Sequence, residues 1–262
     1  MNLPSSSPAL NRDPKIIFLS IMVIALLAWI VVCRQARGME HMNLSSTMCS
    51  MPRVSSWNIA DLFSLFVMWV VMMIAMMLPS VTPMALLFSK VHRTRRDQNN
   101  PFIPTWIFLL GYLLVWMGFS LLATFLQSYL HTKAWLSCCM VLTHRTIAGM
   151  ILISVGIFQF TPLKNTCLSH CRSPFQFLMT QWQEGKWGAF FMGFRHGIFC
   201  TGCCWALMLL LFVTGVMNLF WIALLSILVL LEKISPKSLR INQLWGILFI
   251  VWGISIVFGK LK

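Results

Sequence analysis

The sequence predicts an all-α protein embedded in a membrane as a polytopic bundle of about seven helical spans, with its N-terminus in the cytoplasm. Three observations carry this reading. Of 262 residues, 58% are hydrophobic and only 10% charged, and the mean hydropathy is +0.80. A water-soluble globule has nowhere to put so much apolar surface. The apolar residues gather in runs close to the ~20 needed to cross a bilayer. The breaks between those runs carry the Lys and Arg residues.

The first run, Ile16–Val32, ends in Val31-Val32-Cys33-Arg34. These residues are bulky and basic where a cleaved signal needs small ones, so an uncleaved helix is expected near 16–33. The second run, Leu62–Leu78, sets a span near 60–80, with Pro79 and Pro83 expected to interrupt or kink it. Further spans follow near 105–127 and 146–163. The stretch Trp187–Leu231 is long enough for two, near 188–213 and 216–232, with Gly215 as the turn between them. A last span is expected near 243–259. Nothing is left for a soluble domain, so residues 1–262 read as one membrane domain.

Orientation follows from charge. With the N-terminus inside, the cytoplasmic segments hold twelve Lys and Arg and the outer segments seven, Arg195 lying near a helix start. The densest cluster, Arg93 to Arg96, resists translocation. Orientation and contact with anionic lipid account for the net charge of +14, and no nucleic-acid partner is needed.

Sulfur is the other theme. In Arg195-His196-Gly197-Ile198-Phe199-Cys200-Thr201-Gly202-Cys203-Cys204, residues His196, Cys200 and Cys203 fall within about 60° on a helix, and Met192 extends the stripe by one turn. An imidazole, two thiols and a thioether form a soft ligand set that suits Cu(I), and zinc less well. Cys204 stands beside them as a further thiol. The competing reading is close helix packing by small Cys side chains.

Ten of the 19 methionines lie between Met39 and Met84. The expected outer loop carries Met39, His41, Met42, Met48 and Met51, which read as a metal-collecting set because thioethers neither deprotonate nor form disulfides. An apolar segment resting on the membrane is the alternative. The helix after it stacks Met68, Met72 and Met76 at i, i+4 and i+8, with Met73 and Met77 in a neighbouring row; core packing is the alternative there. A third group, Cys167, His170 and Cys171, falls on one helical turn on the cytoplasmic side and can converge on an ion. Cys138 and Cys139, near the outer face, are candidates to pair with Cys49.

Absences narrow the function. None of the six acids, Asp13, Glu40, Asp61, Asp97, Glu184 and Glu232, is expected in mid-span, which speaks against a proton-coupled carrier. No phosphate-binding glycine loop supports nucleotide-driven pumping. No nucleophile elbow or paired carboxylates support hydrolysis. An enzyme is not expected.

Several stretches together resemble a known family. They are Met68-Trp69 with Met72-Met73-Ile74-Ala75-Met76-Met77-Leu78-Pro79, Gly111-Tyr112 with Trp116, and Phe158-Gln159-Phe160-Thr161-Pro162-Leu163-Lys164 running on to Cys167 and His170-Cys171-Arg172-Ser173-Pro174. Arg195-His196-Gly197, Cys200, Gly202-Cys203-Cys204-Trp205, Met217-Asn218-Leu219 and Glu232-Lys233 complete the set. From about Trp57 to the C-terminus the chain resembles the bacterial "predicted metal-binding integral membrane protein" family. The resemblance implies a multi-pass membrane protein that binds a metal, with copper as its cargo, and supplies no reaction.

Taken together, the expectation is a bacterial inner-membrane protein passing a soft metal ion. Met39, His41, Met42, Met48 and Met51 would gather it, and Met68, Met72 and Met76 would line its way. His196, Cys200, Cys203 and Cys204 would hold it tightest, and Cys167, His170 and Cys171 would release it inside. A metallochaperone or a membrane complex would be the partner. A membrane thiol–disulfide relay and a non-catalytic assembly subunit of a membrane complex are the alternatives.

Overall fold

The computed structural model describes residues 12–44, 58–96, 104–133, 135, 144–235 and 241–258. Among them every regular element is helical: α1 (Arg12–Leu44), α2 (Ile59–Arg96), α3 (Thr105–Thr132), α4 (Arg145–Phe158), α5 (Pro162–Arg172), α6 (Pro174–Gln181), α7 (Gly185–Thr214), α8 (Leu219–Ile234) and α9 (Ile241–Phe258). Five of these, α1, α2, α3, α7 and α9, are long and apolar enough to cross a membrane. The number is six if α4 and α5, bent by 62° at the break between them, count as one span. Helix α8 has 16 residues, about 24 Å at 1.5 Å per residue.

Three expectations change. Helix α1 runs on to Leu44, so Met39, His41 and Met42 stand on its last turns and not in a loop. Their side chains, and Cys49, Met48, Met51, Cys138 and Cys139 altogether, lie outside the described residues. The span expected near 146–163 ends at Phe158, and Thr161 caps a new helix by accepting from the Lys164 N–H, with Pro162 at its first turn, where a missing N–H costs nothing. Helix α2 passes through Pro79 and Pro83 without a break. Pro79 removes the N–H that would meet the Ala75 carbonyl. The Trp29 indole of α1 supplies a donor instead, at 3.1 Å.

Helix α7 is the centre of the bundle. Its partners are α3 along one side and α4, α5 and α8 elsewhere; α2 closes the core against α3 and α8, α1 rests on α2, and α9 pairs with α4. Helix α2 runs antiparallel to α3 and to α7, whereas α3 and α7 run parallel, with Phe108 beside Gly193 and Val115 beside Gly197. Trp69 in the first half of α2 packs its ring, tilted, against Phe212 near the end of α7 at 5.4 Å and donates to Gln127 near the end of α3 at 2.6 Å. At the opposite end Phe88 of α2 stacks on Phe108 of α3 at 5.1 Å. Gly215, with φ of 101°, turns the chain from α7 into α8, a conformation that glycine adopts without a Cβ penalty.

Glycine also sets how closely α3 and α7 approach. A Cβ at Gly193 would run into the Phe108 carbonyl, and one at Gly111 into the Phe190 carbonyl. Such contact between backbones is how membrane helices gain packing when lipid offers no hydrophobic drive. Gly193→Val should therefore force α3 away from α7 and destabilise the protein by about 1–3 kcal/mol or more. Thermal unfolding in detergent checks this, with Gly118→Ala, where a Cβ meets nothing within 4 Å, expected to be neutral.

Candidate metal centre

Cys200 of α7 is fully buried, and groups from several helices meet its sulfur. From α8 the Lys233 ammonium donates to it at 2.9 Å. From α3 the Tyr112 hydroxyl lies 3.1 Å away. From α5, Cys171 comes near both Cys200 and Cys203. Cys204 completes the cluster; its thiol donates to the Cys200 carbonyl at 2.8 Å, and the Cys203 thiol to the same carbonyl at 3.1 Å. Two cysteine motifs that the sequence assigns to separate sites thus form one four-thiol cluster.

The reason lies in α5. Lys164, Leu168 and Cys171 follow an i, i+4, i+7 spacing and share one face. Lys164 is wholly buried on that face and grips Glu232 of α8 with both carboxylate oxygens, at 2.8 and 3.0 Å. At the end of α5, Arg172 donates through Nε to the Glu232 carbonyl at 2.7 Å. These bonds hold α5 against α8 and carry Cys171 to α7.

The other predicted residues fall at graded distances from the cluster. Cys167 is half-buried and sits over Gly202; a Cβ there would come 3.0 Å from its sulfur. His170 lies flat on Phe199, with ring centres 4.3 Å apart, and its Nδ1 is 2.9 Å from the Thr166 carbonyl, which leaves Nε2 as its available nitrogen. His196 is buried among Phe108, Tyr112 and Phe177, and its Nδ1 has no hydrogen-bond partner. Met68, Met72 and Met76 are all buried in the core. They form the expected i, i+4, i+8 row, and the next step of that row is Ser80. Ser80 Oγ accepts from Lys233 at 2.8 Å, so the thioether row ends beside the thiols. Cys33 is half-buried on α1 and belongs to neither group.

Sequence reasoning missed the polar frame. Glu232 was expected at a span edge and Lys233 in a cytoplasmic segment, where a basic residue reads as an orientation signal. Both are buried. Tyr112 and Ser80 carried no functional expectation of their own, and Lys164, expected to act on the neighbouring thiols, pairs with Glu232 instead. The available signal was an adjacent Glu-Lys pair directly after the apolar Ile227–Leu231, because ionisable groups inside a membrane are costly and have partners.

Residues 66–256 match a family described as a copper chaperone (PpoB2). The chain belongs to the copper chaperone family. The matched stretch contains every residue of the cluster and its frame. No curated protein and no solved structure matches the chain.

The donor set suits a soft metal ion. Four thiols and one imidazole are soft ligands. The Nδ1 of His196, buried without a partner, is the kind of group whose satisfaction arrives with a ligand. Among the described residues no three His, Cys, Asp or Glu side chains stand around a common point as a bound ion requires. The Cys203 and Cys204 thiols donate to the Cys200 carbonyl and the Cys200 sulfur accepts from Lys233, bonds that an ion would replace.

The frame can be tested apart from copper. Glu232→Gln should leave the buried Lys164 ammonium without its counter-charge and destabilise the protein by about 3–5 kcal/mol. The double variant Lys164→Met with Glu232→Leu should recover most of that loss. Unfolding midpoints of the three proteins in detergent measure the difference.

Proposed function

We propose that this chain is a multi-pass inner-membrane chaperone that carries Cu(I) on the cluster of Cys171, Cys200, Cys203 and Cys204, with His196 as the nitrogen ligand. The convergence of Cys171 from α5 with the α7 thiols carries the reading, and membership of the copper chaperone family points to the same cargo. Buried thioethers favour Cu(I) over zinc, which prefers thiolate, imidazole and carboxylate.

In this reading the N-terminus is cytoplasmic, and α8 and the bent α4–α5 pair bring the membrane segments to about seven. The α7 thiols lie near the middle of that helix, and the end of the bundle holding Arg96, Thr105, Gly185 and Ile234 then faces the cytoplasm. Reduced thiols persist there. On the other side Met39, His41, Met42, Met48 and Met51 collect the ion, and Met68, Met72 and Met76 hand it inward. Cys167 and His170, at the half-buried edge, pass it to or from a metallochaperone or a membrane complex. Ligand exchange between sites of similar affinity moves the ion without nucleotide and without catalysis.

Protein reconstituted and loaded with Cu(I) under reducing conditions should retain the ion against a competing chelator. Cys200→Ser or Cys203→Ser should weaken retention by more than roughly 100-fold, whereas Cys33→Ser should not change it. Equal retention by all four proteins would remove the thiol cluster as the site.

Four thiols within reach of one another also suit a thiol–disulfide relay. Mass-tag alkylation before and after mild oxidant separates the two readings. A relay cycles a disulfide between Cys171 and Cys200 or Cys203; a copper carrier keeps these thiols reduced and shields them when loaded.

A further inference from the structure

We propose that Lys233 is the built-in counter-cation of the loaded site, so that the chaperone matches its cargo by charge as well as by ligand type. This rests on reading the thiol cluster as a Cu(I) site and adds what makes that site tolerable inside a membrane.

The geometry carries the inference. Lys233 has a carboxylate as its immediate neighbour in sequence, yet both oxygens of Glu232 are taken by Lys164. The Lys233 ammonium points instead to sulfur, 2.9 Å from Cys200, and to the Ser80 hydroxyl at 2.8 Å. Ser80 is set up to receive it: its own proton goes to the Met77 carbonyl at 2.8 Å, which leaves its lone pairs free. A lysine at the end of a membrane helix ordinarily extends its ammonium to the polar interface. This one is turned inward, 9% exposed, toward the least polar acceptors available.

Charge supplies the reason. One Cu(I) held by two thiolates carries a net charge of −1, and an uncompensated anion in a low-dielectric interior is costly. An ammonium against one of the ligand sulfurs brings the assembly to zero. When the sulfur lone pairs turn to the ion, Ser80 holds the ammonium in place beside it. Loading from a thiol-borne Cu(I) donor balances without redox chemistry. Two Cu–S bonds break on the donor and two form here, two thiol protons pass the other way, and copper stays Cu(I). Lys233 is thus a positioning residue, outside the ligand set.

The test compares two soft ions of like geometry and different charge. Cu(I) and Hg(II) both accept two thiolates in a linear arrangement, giving a complex of charge −1 for copper and zero for mercury. Wild type, Lys233→Met and Lys233→Arg, purified in detergent, are titrated with each ion against a competing thiol chelator. Lys233→Met should lose Cu(I) affinity on the order of 100-fold and hold Hg(II) within roughly threefold, while Lys233→Arg should keep both within roughly tenfold. Unchanged Cu(I) affinity in Lys233→Met, or equal loss of both ions, would overturn the role, the second by showing that Lys233 serves only to hold the cluster together. A wild-type protein that binds no Cu(I) would overturn the copper site itself, and this inference with it.

Discussion

A charge taken out of water must meet its complement, and in this bundle that constraint organises the core. Helix α8 brings two adjacent ionisable residues into the protein, Glu232 and Lys233. Neighbours on a helix point about 100° apart, so the two address different partners. Glu232 takes Lys164 of α5; Lys233 takes Cys200 of α7 and Ser80 of α2. One turn of one helix thereby positions three others. Removing either interaction would strand an ion in an apolar interior, a penalty larger than any single packing contact in the region.

The position of Cys171 follows from the same constraint. It shares a face of α5 with Lys164, so the salt bridge that anchors the helix also delivers the thiol. The 62° bend after α4 redirects the chain so that α5 lies against both α7 and α8. On the other side, the glycine-lined approach of α3 to α7 brings Tyr112 to the Cys200 sulfur and its hydroxyl within 3.3 Å of the Met77 carbonyl. The thiols are therefore surrounded by groups each fixed by a separate packing decision. The cluster is a product of the fold as a whole.

The methionine row adds a direction. From Met68 to Ser80 is twelve residues, about 18 Å of helix, and buried thioethers occupy every turn of that row. Under the proposed function, this row would be a ladder of weak, neutral ligands leading to strong, ionisable ones. Weak ligands suit an ion in passage, and thiolates suit an ion being held.

How much of this was legible in the sequence depends on the range of the physics. The helical class, with several helices long and apolar enough to cross a membrane, was readable because it follows from composition and from runs of apolar residues. The stripe of His196, Cys200 and Cys203 was readable because it depends only on a 3.6-residue period within one helix. Gly215 as the turn after α7 was readable for the same local reason. The continuation of α2 through Pro79 was not, since the group that satisfies Ala75 comes from Trp29, in a different helix. Nor was the meeting of Cys171 with Cys200, or the burial of Lys233. By itself the sequence determined which residues could bind a soft ion and that they lie among long apolar helices. Only the tertiary structure decided which of them share one site and which cation faces it, because helices separated in the chain are brought together by salt bridges, glycine contacts and a bend that no local pattern encodes.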